Sequence, residues 1–137
     1  MHRVLLPVDV DESRALAQTE YVASLPDAAN GIEVLLLFVF DESGNDVPDE
    51  HKRYNTATRV GAVRRATERL EEAGVDVNVL EDSGDPAERI LAAAEEHEVD
   101  SIIVGGRKRS AVGKALFGSV AHAVLRETAL PVTVTGS

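Results

Sequence analysis

The strongest constraint on the fold is Ile32–Phe40 (IEVLLLFVF), an almost unbroken apolar run of nine residues. It is far shorter than the ~20 residues a membrane-spanning helix needs, and it lacks the alternation of a strand with one wet face. A strand that is apolar on both faces must be covered on both, which points to a parallel sheet between two layers of helix. Val4–Val8 (VLLPV) and the core of Asp100–Gly105 (DSIIVG) have the same character. By contrast, Val75–Leu80 (VDVNVL) alternates and marks an edge or near-edge strand, and Pro131–Thr135 (PVTVT) supplies the last strand.

Between these runs the apolar spacing changes to that of helices. Asp11-Glu12-Ser13 reads as a helix start, followed by Ala15, Leu16, Thr19, Val22 and Ala23 on one face, with Pro26 and Asp27 ending the pattern. DESGNDVPDEHKRYN reads as a long polar loop. A second helix runs from about Asn55 to Ala73, with Ala57, Val60, Val63, Ala66 and Leu70 inward and Gly74 as terminator. Ser83-Gly84-Asp85-Pro86 is a turn in which Asp85 caps a helix and Pro86 takes its first position; Ala87, Ile90, Leu91 and Ala94 face inward. Phe117, Val120, Val124 and Thr128 trace the last helix. The order β-α-β-α-β-α-β-α-β implies a parallel α/β sheet with right-handed crossovers, and ligands in such sheets bind beyond the carboxyl ends of the strands.

Composition narrows the function classes. The chain is read as one domain over residues 1–137, with no cysteine, so disulfides, thiolate metal sites and thiol nucleophiles are excluded. Its four histidines lack metal-ligand spacing, and no metal site is assigned. A net charge of −10 opposes binding to nucleic acid or to anionic membranes. With neither a membrane-length run nor a leader pattern, a cytoplasmic protein is expected. Lysine is scarce beside 24 acids, a surface suited to high salt, and a halophilic host is one expectation.

Against that acidic background, Val104–Ser119 (VGGRKRSAVGKALFGS) concentrates Arg107, Lys108, Arg109 and Lys114, leaving the remainder of the chain at −14. It is not a Walker A loop, because Ala115 follows Gly113-Lys114, and the first turn (PVDVDES) carries no dinucleotide fingerprint. The glycine spacing instead resembles the G-x2-G-x9-G-[ST] segment of nucleotide-binding universal stress proteins. LLPVD, LLLFVF, GDPAERIL and GSVAHAVLRETALPVTV are similar to that family at the expected distances along essentially the whole chain. One position departs: the second glycine of the motif falls on Lys108. If φ is positive there, a non-glycine costs roughly 1–2 kcal/mol, which a direct contact between Lys108 and a phosphate would offset.

The resemblance implies a three-layer α-β-α sandwich with strand order 3-2-1-4-5 and four helices. It also implies an adenine nucleotide, ATP, with magnesium as an optional companion. Asp9 would meet the base or ribose beside Pro7 and Val8, and Val39 would offer backbone contacts to the base. Val104, Gly105, Arg107, Lys108, Gly118, Ser119 and Val120 would surround ribose and phosphates. Independently, free amides at a helix start favour an anion. The plainer readings are that Asp9 ends a strand, Ser119 caps a helix, and Gly105 and Gly106 permit a turn.

Three functions remain open at this level. One is a non-catalytic nucleotide-binding regulatory protein; another is a slow nucleotide hydrolase in the same cleft, although Asp9 and Asp41 have no evident catalytic partner. The third is a phosphoacceptor receiver, disfavoured because no lysine and no helix follow the last strand. The flat edge Val132–Thr135 predicts a homodimer.

Overall fold

A computed structural model describes residues 1–40, 60–106 and 118–136. In chain order the elements are β1 (His2–Pro7), α1 (Glu12–Ser24), α2 (Ala28–Gly31), β2 (Ile32–Phe40), α3 (Gly61–Glu72), β3 (Asp76–Ser83), α4 (Pro86–Glu96), β4 (Ser101–Gly105), α5 (Ser119–Glu127) and β5 (Val132–Thr135). The five strands form one sheet in the order β3-β2-β1-β4-β5, with every neighbouring pair parallel.

The apolar runs are explained by the two faces of this sheet. Val4 and Leu6 of β1, with Val34, Leu36 and Phe38 of β2, pack against Ala15 and Val22 of α1 and Val63, Ala66 and Leu70 of α3. Leu5, Leu35, Leu37, Ile102 and Val104 point the other way, onto Ile90 and Ala94 of α4 and Ala121 and Val124 of α5. Consecutive residues of a strand therefore enter different cores, so apolar side chains are needed without alternation. β3 lies at the sheet edge and keeps its alternation, with Asp76 and Asn78 exposed between half-buried Val77 and Val79.

Several boundaries differ from the sequence reading. α1 stops at Ser24 because Leu25 is extended (ψ 143°) ahead of Pro26, as residues before proline tend to be. A fifth helical segment, the single turn α2, follows Asp27, which sits in the left-handed region at φ 56°. β3 continues through Glu81 and Asp82 to Ser83, placing Ser83 in the strand, while Gly84 makes the turn at φ 126°. The long polar loop, Asp41, Ala57 and Phe117 lie outside the described residues. Among the described residues no helix is long and apolar enough to cross a membrane.

Candidate functional site

The chain winds outward from β1 through β2 to β3, then returns to place β4 on the other side of β1. The reversal point thus lies between β1 and β4. Their ladder is short, with Val4 opposite Ser101 and Leu5 opposite Ile102. The registered pairing stops there, and the carboxyl ends of the two strands at such a reversal point border the crevice in which sheets of this kind bind ligands.

One wall is the turn from β1 into α1. Val8 is buried and its N–H donates to Leu37 O at 2.9 Å, extending β1 by one bond toward β2. Asp9 follows, exposed and held in place: its Oδ1 accepts from the Asp11 amide at 2.9 Å and its Oδ2 from Arg14 Nε at 3.1 Å. Arg14 Nη2 also lies 3.0 Å from Asp9 Oδ2 and 3.7 Å from Asp11 Oδ2. Arg14 is a contributor that the apolar-periodicity reading missed. Its signal was position: three residues after the helix cap, it can reach back over the turn.

Asp11 caps α1 by accepting from the Arg14 amide at 3.0 Å, and it accepts from Ser13 Oγ at 2.7 Å. The Ser13 hydroxyl first, then the Arg14 amide, holds the Asp11 carboxyl below the usual carboxylate range. A depressed folded-state pKa means that this contribution to stability is present above the unfolded value, about 3.9, and is lost as pH falls through the folded one. Asp11→Asn keeps a capping oxygen without the ionisation. Its unfolding free energy should therefore fall less steeply than the wild type's on acidification from about pH 5 to about pH 2, a difference urea titrations across that range would measure.

The floor is formed by β2 and β4. Backbone groups alternate along a strand, so with Leu37 O facing β1 and Phe40 O accepting from the Gly84 amide on the β3 side, Val39 directs its N–H and C=O toward β1, beyond the last registered pair, Pro7 with Leu37. Its side chain packs on the α4–α5 core. Val104 is buried, and Gly105 ends β4 beside α1, where a Cβ would lie 3.1 Å from Gln18 Oε1 and 3.4 Å from Arg14 Cβ. At Gly106 a Cβ would meet Thr135 O at 2.8 Å and Val134 Cγ1 at 2.9 Å. Close approach to neighbouring elements, rather than a sharp turn, thus explains both glycines.

The opposite wall is the start of α5. Gly118, not Ser119, is the N-cap, in an extended conformation (φ −68°, ψ 162°) and without a side-chain cap bond. Ser119 is the first helical residue and exposed; Val120 is half-buried. In α1 and α4 the caps are carboxylates, Asp11 and Asp85. At α5 the cap is a glycine that makes no side-chain bond, and with the helix dipole the first amides present positive potential at the carboxyl edge of the sheet. Arg107 and Lys108 lie outside the described residues. The remaining expected site residues, Pro7, Val8, Asp9, Val39, Val104, Gly105, Gly118, Ser119 and Val120, all fall at carboxyl ends of strands, in the turn after β1 or at the start of α5.

Comparison with known proteins agrees with this architecture. Universal stress protein MJ0577 of Methanocaldococcus jannaschii is 27% identical over 152 aligned positions, covering 96% of this chain and 93% of that protein. The solved structure of MJ0577 superposes with a TM-score of 0.74 at 28% identity, over 99% of this chain and 96% of the other. Universal stress protein YxiE of Bacillus subtilis is 35% identical over 72 residues, 53% of this chain, and the match spans only 49% of YxiE. A universal stress protein in complex with cAMP and one from Archaeoglobus fulgidus in complex with dAMP share the fold, with TM-scores of 0.68 and 0.71. Their identities are 20% and 19%, over 98% of this chain and 96% and 98% of theirs. The family model described as the universal stress protein family matches residues 1–136. By sequence along its length and by the order of its strands, the chain belongs to the universal stress protein family.

Proposed function

We propose that the chain binds an adenine nucleotide, ATP, in the crevice between β1 and β4, and that it works as a cytoplasmic regulatory protein through occupancy rather than turnover. The observation that carries this reading is the start of α5, where glycine-capped amides lie at the carboxyl edge at which the registered pairing of β1 and β4 has stopped. Pro7, Val8, Asp9 and Val39 would take the base and ribose. Val104, Gly105, Gly118, Ser119 and Val120 would line the phosphates, with Arg107 and Lys108 as the nearby cations. The dAMP and cAMP complexes of other members concern ligands of the same chemical class.

Thermal unfolding with and without ATP, AMP and cAMP tests the proposal. A nucleotide at one hundred times its dissociation constant should stabilise the fold by ~2.7 kcal/mol, and an unchanged midpoint with all three would sink the nucleotide reading. Among the described residues no cluster of three or more His, Asp or Glu side chains is arranged to hold a metal, and both Asp9 oxygens already accept hydrogen bonds. Phosphate release no faster than from ATP alone is expected.

Association is proposed through β5. The strand is uncharged (VTVT), lies at the edge of the sheet, and pairs with β4 on its inner side. Light scattering at micromolar protein should give a dimer, and a monomer would overturn this. The acidic surface further predicts a thermal midpoint that rises from low to molar KCl as repulsion is screened; a flat profile would remove the case for a halophilic host.

A further inference from the structure

The crevice is held open by a side chain with no place in the nucleotide motif. Gln18, the only glutamine of the chain, lies on α1 and is 2% exposed. Its Nε2 donates to Pro7 O at 2.7 Å and to Ile103 O at 3.0 Å. These are the backbone carbonyls of β1 and β4 just past their last registered pair, Leu5 with Ile102. Two carbonyl acceptors fix the orientation of the carboxamide, because only its NH2 end can donate to both. Oε1 is thereby turned toward Gly105, where an added Cβ would fall 3.1 Å from it and 3.4 Å from Cδ. Gly105 is not among the positive-φ residues, so backbone conformation does not demand a glycine there.

We propose that Gln18 is a positioning residue of the crevice: its carboxamide bridges the carboxyl ends of β1 and β4, and Gly105 is glycine because that carboxamide occupies the space its side chain would need. Pro7 leads through Val8 into Asp9, and Ile103 into Val104 and Gly105, so the bridge fixes the separation of the two sides. Without it, the buried Ile103 carbonyl and the half-buried Pro7 carbonyl lose this donor and must find water or move together. The effect on ligand affinity rests on the nucleotide reading above; the bridge and its relation to Gly105 do not.

Three measurements separate these parts. In the wild type, the side-chain NH2 protons of Gln18, readily identified by NMR as those of the sole glutamine, should exchange with solvent at least about a hundredfold more slowly than a free amide. Exchange at the free rate would overturn the bridge, whether or not any variant folds. In a double-mutant cycle, Gly105→Ala should destabilise the wild type but cost little in a Gln18→Ala background, and equal costs in both would overturn the assignment of Gly105.

The third measurement is nucleotide affinity at a temperature where circular dichroism shows each variant folded. Gln18→Met should bind ATP about tenfold or more weakly at every pH. Gln18→Glu should stay weaker than the wild type, because a protonated carboxyl has one O–H and can serve only one of the two carbonyls, but should weaken further relative to it from about pH 5 toward about pH 8. Burial facing two carbonyls raises the glutamate pKa above the usual ~4.3, and only its protonated form can donate. Wild-type affinity in both folded variants, without relative pH dependence, would overturn the positioning role and leave nucleotide binding standing. If the wild type itself binds no nucleotide while the exchange and cycle results hold, the nucleotide reading fails and the bridge stands.

Discussion

Gly118→Asp is expected to fold slightly more stably than the wild type and to lose its nucleotide affinity. Gly118 already has the extended backbone of an N-cap, a conformation open to aspartate. It would do for α5 what Asp11 and Asp85 do for α1 and α4 by accepting from an amide of the first turn. The gain over glycine is a few tenths of a kcal/mol. The same carboxylate would occupy amides that a phosphate needs and would add a like charge beside it. Losing one charge-assisted hydrogen bond alone corresponds to about 2 kcal/mol, or roughly thirtyfold in affinity. Urea denaturation and nucleotide titration on one preparation would show the opposite signs. Unchanged affinity would mean that the phosphates do not sit at α5.

The second large effect is expected at Gly106. An alanine methyl there would lie 2.8 Å from the backbone oxygen of Thr135, and a backbone atom held in a sheet cannot swing away as a side-chain tip can. The Gly106 N–H also donates to Thr135 O at 2.7 Å, continuing the β4–β5 ladder past Gly105. Gly106→Ala should therefore push the end of β5 outward and cost about 2 kcal/mol, within the usual range for overpacking. Where association depends on a straight β5, the variant should also elute as a monomer. Full stability in urea would show that the strand end yields freely.

The sheet was legible because buried parallel strands leave a blunt signature. Ile32–Phe40 admits few other readings, and the order of strands and helices follows from the spacing of such runs. The inward face of α3 was readable, since Val63, Ala66 and Leu70 are buried, but its start was not: Val60, read as helical, is buried as the extended N-cap (ψ 127°) before Gly61. The reading faltered where polar residues do interior work. Gln18 occupies an inward position between Ala15 and Val22, but a long polar side chain is ordinarily a surface residue, and the helical pattern, which admits the smaller Thr19, does not include it. The plainer reading of Ser119, as a helix cap, fails because the extended residue is Gly118. The reasons for Gly105 and Gly106 lie on α1 and β5, far away in sequence, and no local pattern encodes a distant neighbour. Arg107 and Lys108, where the motif departs from its family, lie outside the described residues.

The two ends of the sheet are unlike. β3 carries Asp76, Asn78, Glu81 and Asp82 exposed along its length, while β5 carries no charge. A rim studded with acids repels a second copy of itself, and a bare rim does not. On the proposed association through β5, the molecule would have a valence of one. Once two copies join through β5 by a twofold axis, both reactive edges are consumed and only repelling ones remain. Growth by strand addition, the route from folded sheets to fibres, ends at its first step.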